Sequence, residues 1–132
     1  MEKLQALKLT TLAAAWTAQK QDPAVSALSF DERFGLLVDA EWLARENARL
    51  AWALKAAKLK LSQAAVEAID YAARRELDKA LLRQLTTGRW IAEHQHVLIT
   101  GATGTGKSFL ACALAHQVCR QGYRGLYWRV SR

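Results

Sequence analysis

The eight residues GATGTGKS, Gly101 to Ser108, constrain this chain more than any other stretch. They satisfy without departure the pattern of a glycine, four residues, then Gly-Lys-Ser, and they sit between two segments of opposite character. HVLIT at 96–100 is apolar and β-branched, as a buried parallel strand should be. KSFLACALAHQVCRQGYR from Lys107 onward spaces Leu110, Ala111, Leu114, Ala115 and Val118 along one helical face, with Gly122 placed to cap its end. Strand, glycine-rich turn and helix in that order make a phosphate cradle. Gly101, Gly104 and Gly106 let the backbone approach an anion closely. The amides from about Thr103 to Ser108 can turn inward as a nest at the positive end of the helix. Lys107 is then expected to reach the β and γ phosphates of a nucleoside triphosphate, and the Ser108 hydroxyl to ligate Mg²⁺.

Before His96 the chain reads mostly as helix. Leu4, Leu7, Leu12, Ala15 and Trp16 recur at helical spacing over 2–20, and Pro23 closes the run. Ser29 followed by Glu32 is a capping box that opens a long helix through about Lys60. Along it Leu36, Ala40, Leu43, Asn47, Leu50, Leu54 and Ala57 follow a heptad rhythm, which fits either a local bundle core or a contact between subunits. A further helix is expected to end near Gly88.

The charge is unevenly placed. A net charge of +7 is consistent with an acidic partner such as nucleic acid. Residues 1–50 carry six bases and seven acids, 51–95 carry eight and five, and after Glu93 there is no acid at all. In the middle region Lys55, Lys58, Lys60, Arg74, Arg75, Lys79 and Arg83 read either as a solvated helix face or as a phosphate-contacting patch. With only Tyr71 and Trp90 interleaved, duplex backbone contact suits them better than stacking on single strands.

No run reaches the roughly 18 apolar residues of a membrane span, so the chain reads as cytoplasmic. Cys112 and Cys119, seven apart on one helix, are too far separated for a disulfide and read as small buried residues. His94, His96 and His116 offer no converging metal-ligand pattern.

The same uneven charge bears on chemistry. Hydrolysis by a P-loop enzyme uses acids that follow the loop, and none does here. Two strands and a helix would also leave a parallel sheet with open edges, so the chain reads as cut short near Arg132. The expected fold class is α/β: an all-helical N-terminal domain over 1–75, then over 76–132 the first strand-loop-helix-strand of a P-loop domain.

Three stretches carry a resemblance: LSFDERFGLLVDAEWLARENARLAWALKAAKL, IDYAARRELDKALLRQLTTGRWI, and HVLITGATGTGKSFLACALAHQVCRQGY. With these the chain resembles the IstB family, the ATP-binding helpers of two-gene bacterial insertion sequences, related to DnaC-type helicase loaders within the AAA+ ATPases. The resemblance implies that Gly101, Ala102, Thr103, Gly104, Thr105, Gly106, Lys107 and Ser108 bind ATP with Mg²⁺. It implies that proteins of this kind assemble with ATP into oligomers on double-stranded DNA and recruit a partner transposase. It places the Walker B acids, sensors and arginine finger beyond Arg132, so the chain is expected to bind ATP and to hold no catalytic residue of its own. A helicase loader, or a remnant that does not hydrolyse ATP, are the other readings.

Overall fold

The computed structural model describes residues 1–72 and 77–130. Its helices are α1 (Glu2–Ala6), α2 (Thr10–Gln19), α3 (Pro23–Ser26), α4 (Phe30–Ala57), α5 (Lys79–Thr86), α6 (Arg89–Ala92) and α7 (Lys107–Arg120), with a 3-10 turn at Val66–Ala68 between α4 and α5. The chain divides into two compact units, Met1–Arg49 and Leu50–Arg132.

In the first unit the helix expected over 2–20 is two helices. Lys8 takes a left-handed φ of 57°. The Leu9 amide then bonds the Leu4 carbonyl at 2.8 Å and the Lys8 amide that of Gln5 at 2.9 Å, which is the Schellman closure normally built on glycine. Pro23 opens α3 rather than merely ending its predecessor, with the Asp22 side chain capping from the N-cap position. The capping box holds as expected. Glu32 accepts from the Ser29 amide at 2.9 Å and from its hydroxyl at 2.7 Å, and the Glu32 amide donates back to Ser29 Oγ at 3.3 Å. These bonds to the Ser29 hydroxyl and amide hold the Glu32 carboxyl below its ordinary value.

The face of α4 that is buried in this unit is not the heptad seam. Leu37 is buried at 2% exposure and Glu41 at 8%, whereas Leu36 is 49% exposed, Leu43 60% and Asn47 also open. Over 36–47 the seam is therefore not a local core. Glu41 is tolerated in the interior because it is fully engaged: Arg45 Nε donates to it at 2.8 Å and the Leu12 amide at 3.0 Å. Both bonds lower its pKa, Arg45 most.

In the second unit α7 is the central element, burying Cys112, Ala113, Leu114, Val118 and Cys119. Cys119 packs on Ala53 and Ala57, and Cys112 and Ala113 pack on Ala64, flanked by Val66, Phe109 and Tyr127. Both cysteines are free and buried, as their spacing suggests. Two polar ties hold elements onto α7 or its end, and a glycine closes it. Arg120 pairs with Glu67 of the 3-10 turn, Gln121 Nε2 donates to the Thr86 carbonyl at 2.8 Å, and Gly122 at φ 95° closes the helix.

The strands expected on either side of the loop are not formed among the described residues. Residues 96–100 and 125–128 nevertheless alternate in burial, with Val97, Ile99, Gly125 and Tyr127 half-buried and Leu98, Leu126 and Trp128 exposed. A strand is defined by its ladder, and here the Tyr127 amide bonds the Ala57 carbonyl at 2.8 Å, a helix end rather than a neighbouring strand. No helix among the described residues is long and apolar enough to cross a membrane.

Candidate functional site

Residues 101–106 form a turn that delivers the chain into α7 with Gly106 at the N-cap. Gly104 has φ 82° and Gly106 φ 92°, the left-handed region that a residue with a Cβ enters only at a cost. No side chain caps this helix end. The first amides of α7 are thus left for an external acceptor, and the helix dipole favours that acceptor being an anion. Thr105 Oγ1 donates to the Ala102 carbonyl at 2.8 Å, which braces the turn from within. Lys107 is folded back on the same turn, its Nζ donating to the carbonyls of Gly101 at 2.7 Å and Ala102 at 2.5 Å. A cation held on the turn, beside uncapped amides, is the donor set a polyphosphate requires. Thr103 and Ser108 are exposed, Ser108 in the first turn of α7.

The loop opens on a cavity of about 470 Å³. Gly101, Thr105, Gly106 and Lys107 line one part of it; Ala68, Ile69, Leu77, Phe109 and Leu110 supply an apolar wall. Asp70 also lines it. Such a cavity, polar at a phosphate cradle and apolar beside it, is the shape a nucleotide fills. Asp70 belongs to the IDYAARREL stretch, in which the sequence offers Arg74 and Arg75 as phosphate contacts and assigns no chemistry to Asp70. Nothing in local spacing ties a residue 31 positions before Gly101 to the loop.

The basic residues fall in different places. Lys55 lies in the last turns of α4, and Lys58 and Lys60 follow it, all three exposed. Lys79 and Arg83 sit one turn apart on α5 and share a face, and Lys79 Nζ stands 5.3 Å from the Tyr71 ring centroid. Arg74 and Arg75 lie outside the described residues. The Arg124 guanidinium covers Trp52 at 5.0 Å. His94 takes φ 55° and closes α6 in the manner of Lys8, with the Gln95 amide bonding the Trp90 carbonyl at 2.8 Å. His116 faces the Arg120–Glu67 pair. Burial and the Arg120 charge push its pKa down, and Glu67 opposes them. No cluster of three His, Cys, Asp or Glu able to hold a metal ion occurs among the described residues.

The family described as IstB-like ATP binding protein matches residues 2–132. A protein of Pseudomonas fluorescens, named as an ATP-binding protein of insertion sequence IS1162, is 46% identical over 132 residues, all of this chain and 57% of that protein. One of Sinorhizobium fredii, named as an insertion sequence ATP-binding protein, is 42% identical over the whole chain and 54% of its own length. One of Mycobacterium tuberculosis, named as an ATP-binding protein in an insertion sequence, is 33% identical over 98% of this chain and 51% of that protein. The chain spans about half the length of the curated relatives it matches.

Proposed function

The chain belongs to the IstB-like ATP-binding protein family, and from that premise we propose that it is the nucleotide-binding part of a transposition helper. In this reading ATP binds at Gly101–Ser108 and controls assembly on target DNA, where a transposase of the same element is recruited. The observation that carries the proposal is the Lys107 ammonium held on the turn at an uncapped helix end, beside a cavity large enough for a nucleoside. When bound, Mg²⁺ would neutralise part of the triphosphate charge, with Ser108 as its protein ligand.

The work divides in this proposal between residues 1–75, chiefly for DNA and partner contacts, and 76–132, chiefly for the nucleotide, where 96–100 and 125–130 are the strands of an α/β sheet. Alternating burial on both segments supports that assignment. Exposed Leu36, Leu43 and Asn47 support α4 as a surface for self-association. Exposed Lys55, Lys58, Lys60, Lys79 and Arg83, together with Arg74 and Arg75, are the DNA candidates. The names of the relatives favour an insertion-sequence role over a replication helicase loader.

The test is fluorescence anisotropy of a labelled random duplex with the chain, at low salt, with and without ATP and Mg²⁺. The reading expects binding that ATP strengthens and salt weakens. Replacing Lys55, Lys58 and Lys60 together by Ala should flatten the log–log salt dependence by about 0.9 per lost phosphate contact. Equal duplex affinity with and without ATP would overturn the coupling of the loop to DNA.

A further inference from the structure

Arg45, Arg49, Arg89 and Arg120 each pair with a carboxylate, those of Glu41, Glu46, Glu93 and Glu67. Arg124 is held differently. Among the described residues it makes no ion pair, and its guanidinium stands over the ring of Trp52, 5.0 Å from the centroid. An ion pair uses up both the charge and the N–H donors of an arginine. A ring contact places the cation through the quadrupole of the aromatic face and leaves the N–H donors open. Trp52 is 55% exposed and Arg124 is exposed too, so those donors are at the surface.

Two contacts fix what lies beside them, both within the unit Leu50–Arg132. Arg124 meets Trp52, and the Tyr127 amide bonds the Ala57 carbonyl at 2.8 Å. Three residues of extended chain cover about 10 Å and five of helix about 7.5 Å, so the segment after α7 runs alongside the end of α4 in the same direction. Lys55 follows Trp52 by three positions, one turn away on the helix surface, and Lys58 directly follows Ala57. Both lysines are exposed, and neither makes an ion pair among the described residues. No acid occurs from Asn47 to Val66 or after Glu93. Folding thus sets two acid-free stretches, distant in sequence, against each other.

We propose that Arg124, seated on Trp52, contacts a backbone phosphate of duplex DNA, and that with Lys55 and Lys58 it forms one phosphate-binding surface. The proposal rests on the reading of the chain as a DNA-binding helper, and adds to it a contact from the segment after α7. A planar guanidinium with open donors matches a phosphate bidentately. Holding the long side chain in place beforehand removes part of the ordering cost of binding. The guanidinium also covers the Trp52 ring, which favours backbone contact over the base stacking that a single strand would seek.

Fluorescence anisotropy of a labelled random duplex over a salt series tests it, with a thermal melt of each variant. Arg124→Gln should flatten the log–log salt dependence by about 0.9, so that affinity falls about eightfold near 0.1 M salt and the gap closes toward about 1 M. Its melting temperature should stay close to native. Arg124→Lys keeps the charge and should restore the slope. Trp52→Leu should weaken duplex binding in the native background and add nothing in the Arg124→Gln background, because the ring acts through the arginine. A native slope in Arg124→Gln, while replacement of Lys55 and Lys58 by Ala flattens it, would overturn the proposal. A Trp52→Leu effect that persists without Arg124, with single strands bound more tightly than duplex, would overturn it in favour of base stacking. Affinity losses that follow the melting temperature rather than the charge at position 124 would overturn it as well. No duplex binding by the native chain at low salt would remove the DNA reading itself, and the proposal with it.

Discussion

Replacing Lys107 by alanine separates two roles that this side chain could have. Without a ligand its ammonium bonds the Gly101 and Ala102 carbonyls at 2.7 and 2.5 Å, so it already serves as a brace of the turn. With a triphosphate in place it would exchange those neutral acceptors for charged ones, and only the difference contributes to affinity. A hydrogen bond with an ionised partner is worth about 1.5–3 kcal/mol net, the ammonium–carbonyl bonds at the low end and ammonium–phosphate bonds, ionised on both sides, toward the high end. Two such bonds exchanged leave a gain of about 1–3 kcal/mol, or a loss of about five- to two-hundredfold in ATP affinity on substitution. Calorimetric titration with ATP and Mg²⁺ measures it, alongside a thermal melt of the same samples. If Lys107→Ala binds ATP within twofold of the native chain while its melting temperature drops, the lysine is a brace and the phosphate role is refuted.

Three further outcomes follow from the packing and ionisation of named residues. Leu37→Ala removes a side chain with 2% exposure from the first unit and should cost about 2–4 kcal/mol in chemical denaturation; a cost under about 1 kcal/mol would mean the face closes over the gap. Glu41 has its pKa lowered by Arg45 and by the Leu12 amide, so its contribution is present above the ordinary glutamate value and lost as pH falls through the lowered native one. The melting temperature of the native chain should accordingly fall more than that of Glu41→Gln on acidification below about pH 4, and parallel curves would remove Glu41 from the account. Gly106→Ala places a Cβ on a φ of 92° and should cost about 1–2 kcal/mol of stability while weakening ATP, read by melt and titration together. Native-like ATP affinity in that variant would show that the turn can relax without losing its cradle.

Chain reversals show where the sequence is legible and where it is not. The Ser29–Glu32 box, the Asp22–Pro23 start of α3 and the Gly122 stop of α7 are each written in residues whose chemistry demands that position. The ends of α1, α4 and α6 are not, because Lys8, Lys58 and His94 take φ values of 57°, 50° and 55° where glycine would be the visible signal. At Lys8 and His94 the turn is closed by backbone amide–carbonyl bonds that any residue type can make, so no side chain announces it. The seam on α4 is a local core over only part of its length, for a related reason. Leu36 and Leu43 keep heptad spacing as faithfully as Leu50 and Leu54, yet only the latter pair packs against a core cluster, since what a stripe meets is decided by other segments. In the candidate site Gly101–Ser108 was legible whole, because a phosphate cradle is built from consecutive residues. The wall of Ala68, Ile69 and Leu77 was not, because it reaches the cavity through the fold.

Charge along the chain and charge at the site are likewise different quantities. After Glu93 every charged residue of the sequence is basic, which by itself describes a positive surface around the loop. Folding returns acids to it. Glu67 pairs with Arg120 and Asp70 lines the same cavity as Lys107, so two of the five cations after Glu93 have a carboxylate from the 67–70 segment paired with them or sharing their cavity. The candidate site is therefore less positive than its own segment suggests, and selectivity there would come from placement rather than from field strength. A long anion such as duplex DNA, which responds to the number of cations it can neutralise, is better served by Lys55, Lys58 and Lys60. These three are exposed within six residues of one another, with no acid among them. The two acidic ligands proposed for this protein would then be read by different physics: the triphosphate by a few directed bonds, the duplex by counterion release. Raising salt should for that reason strip DNA from the chain at concentrations that leave ATP bound.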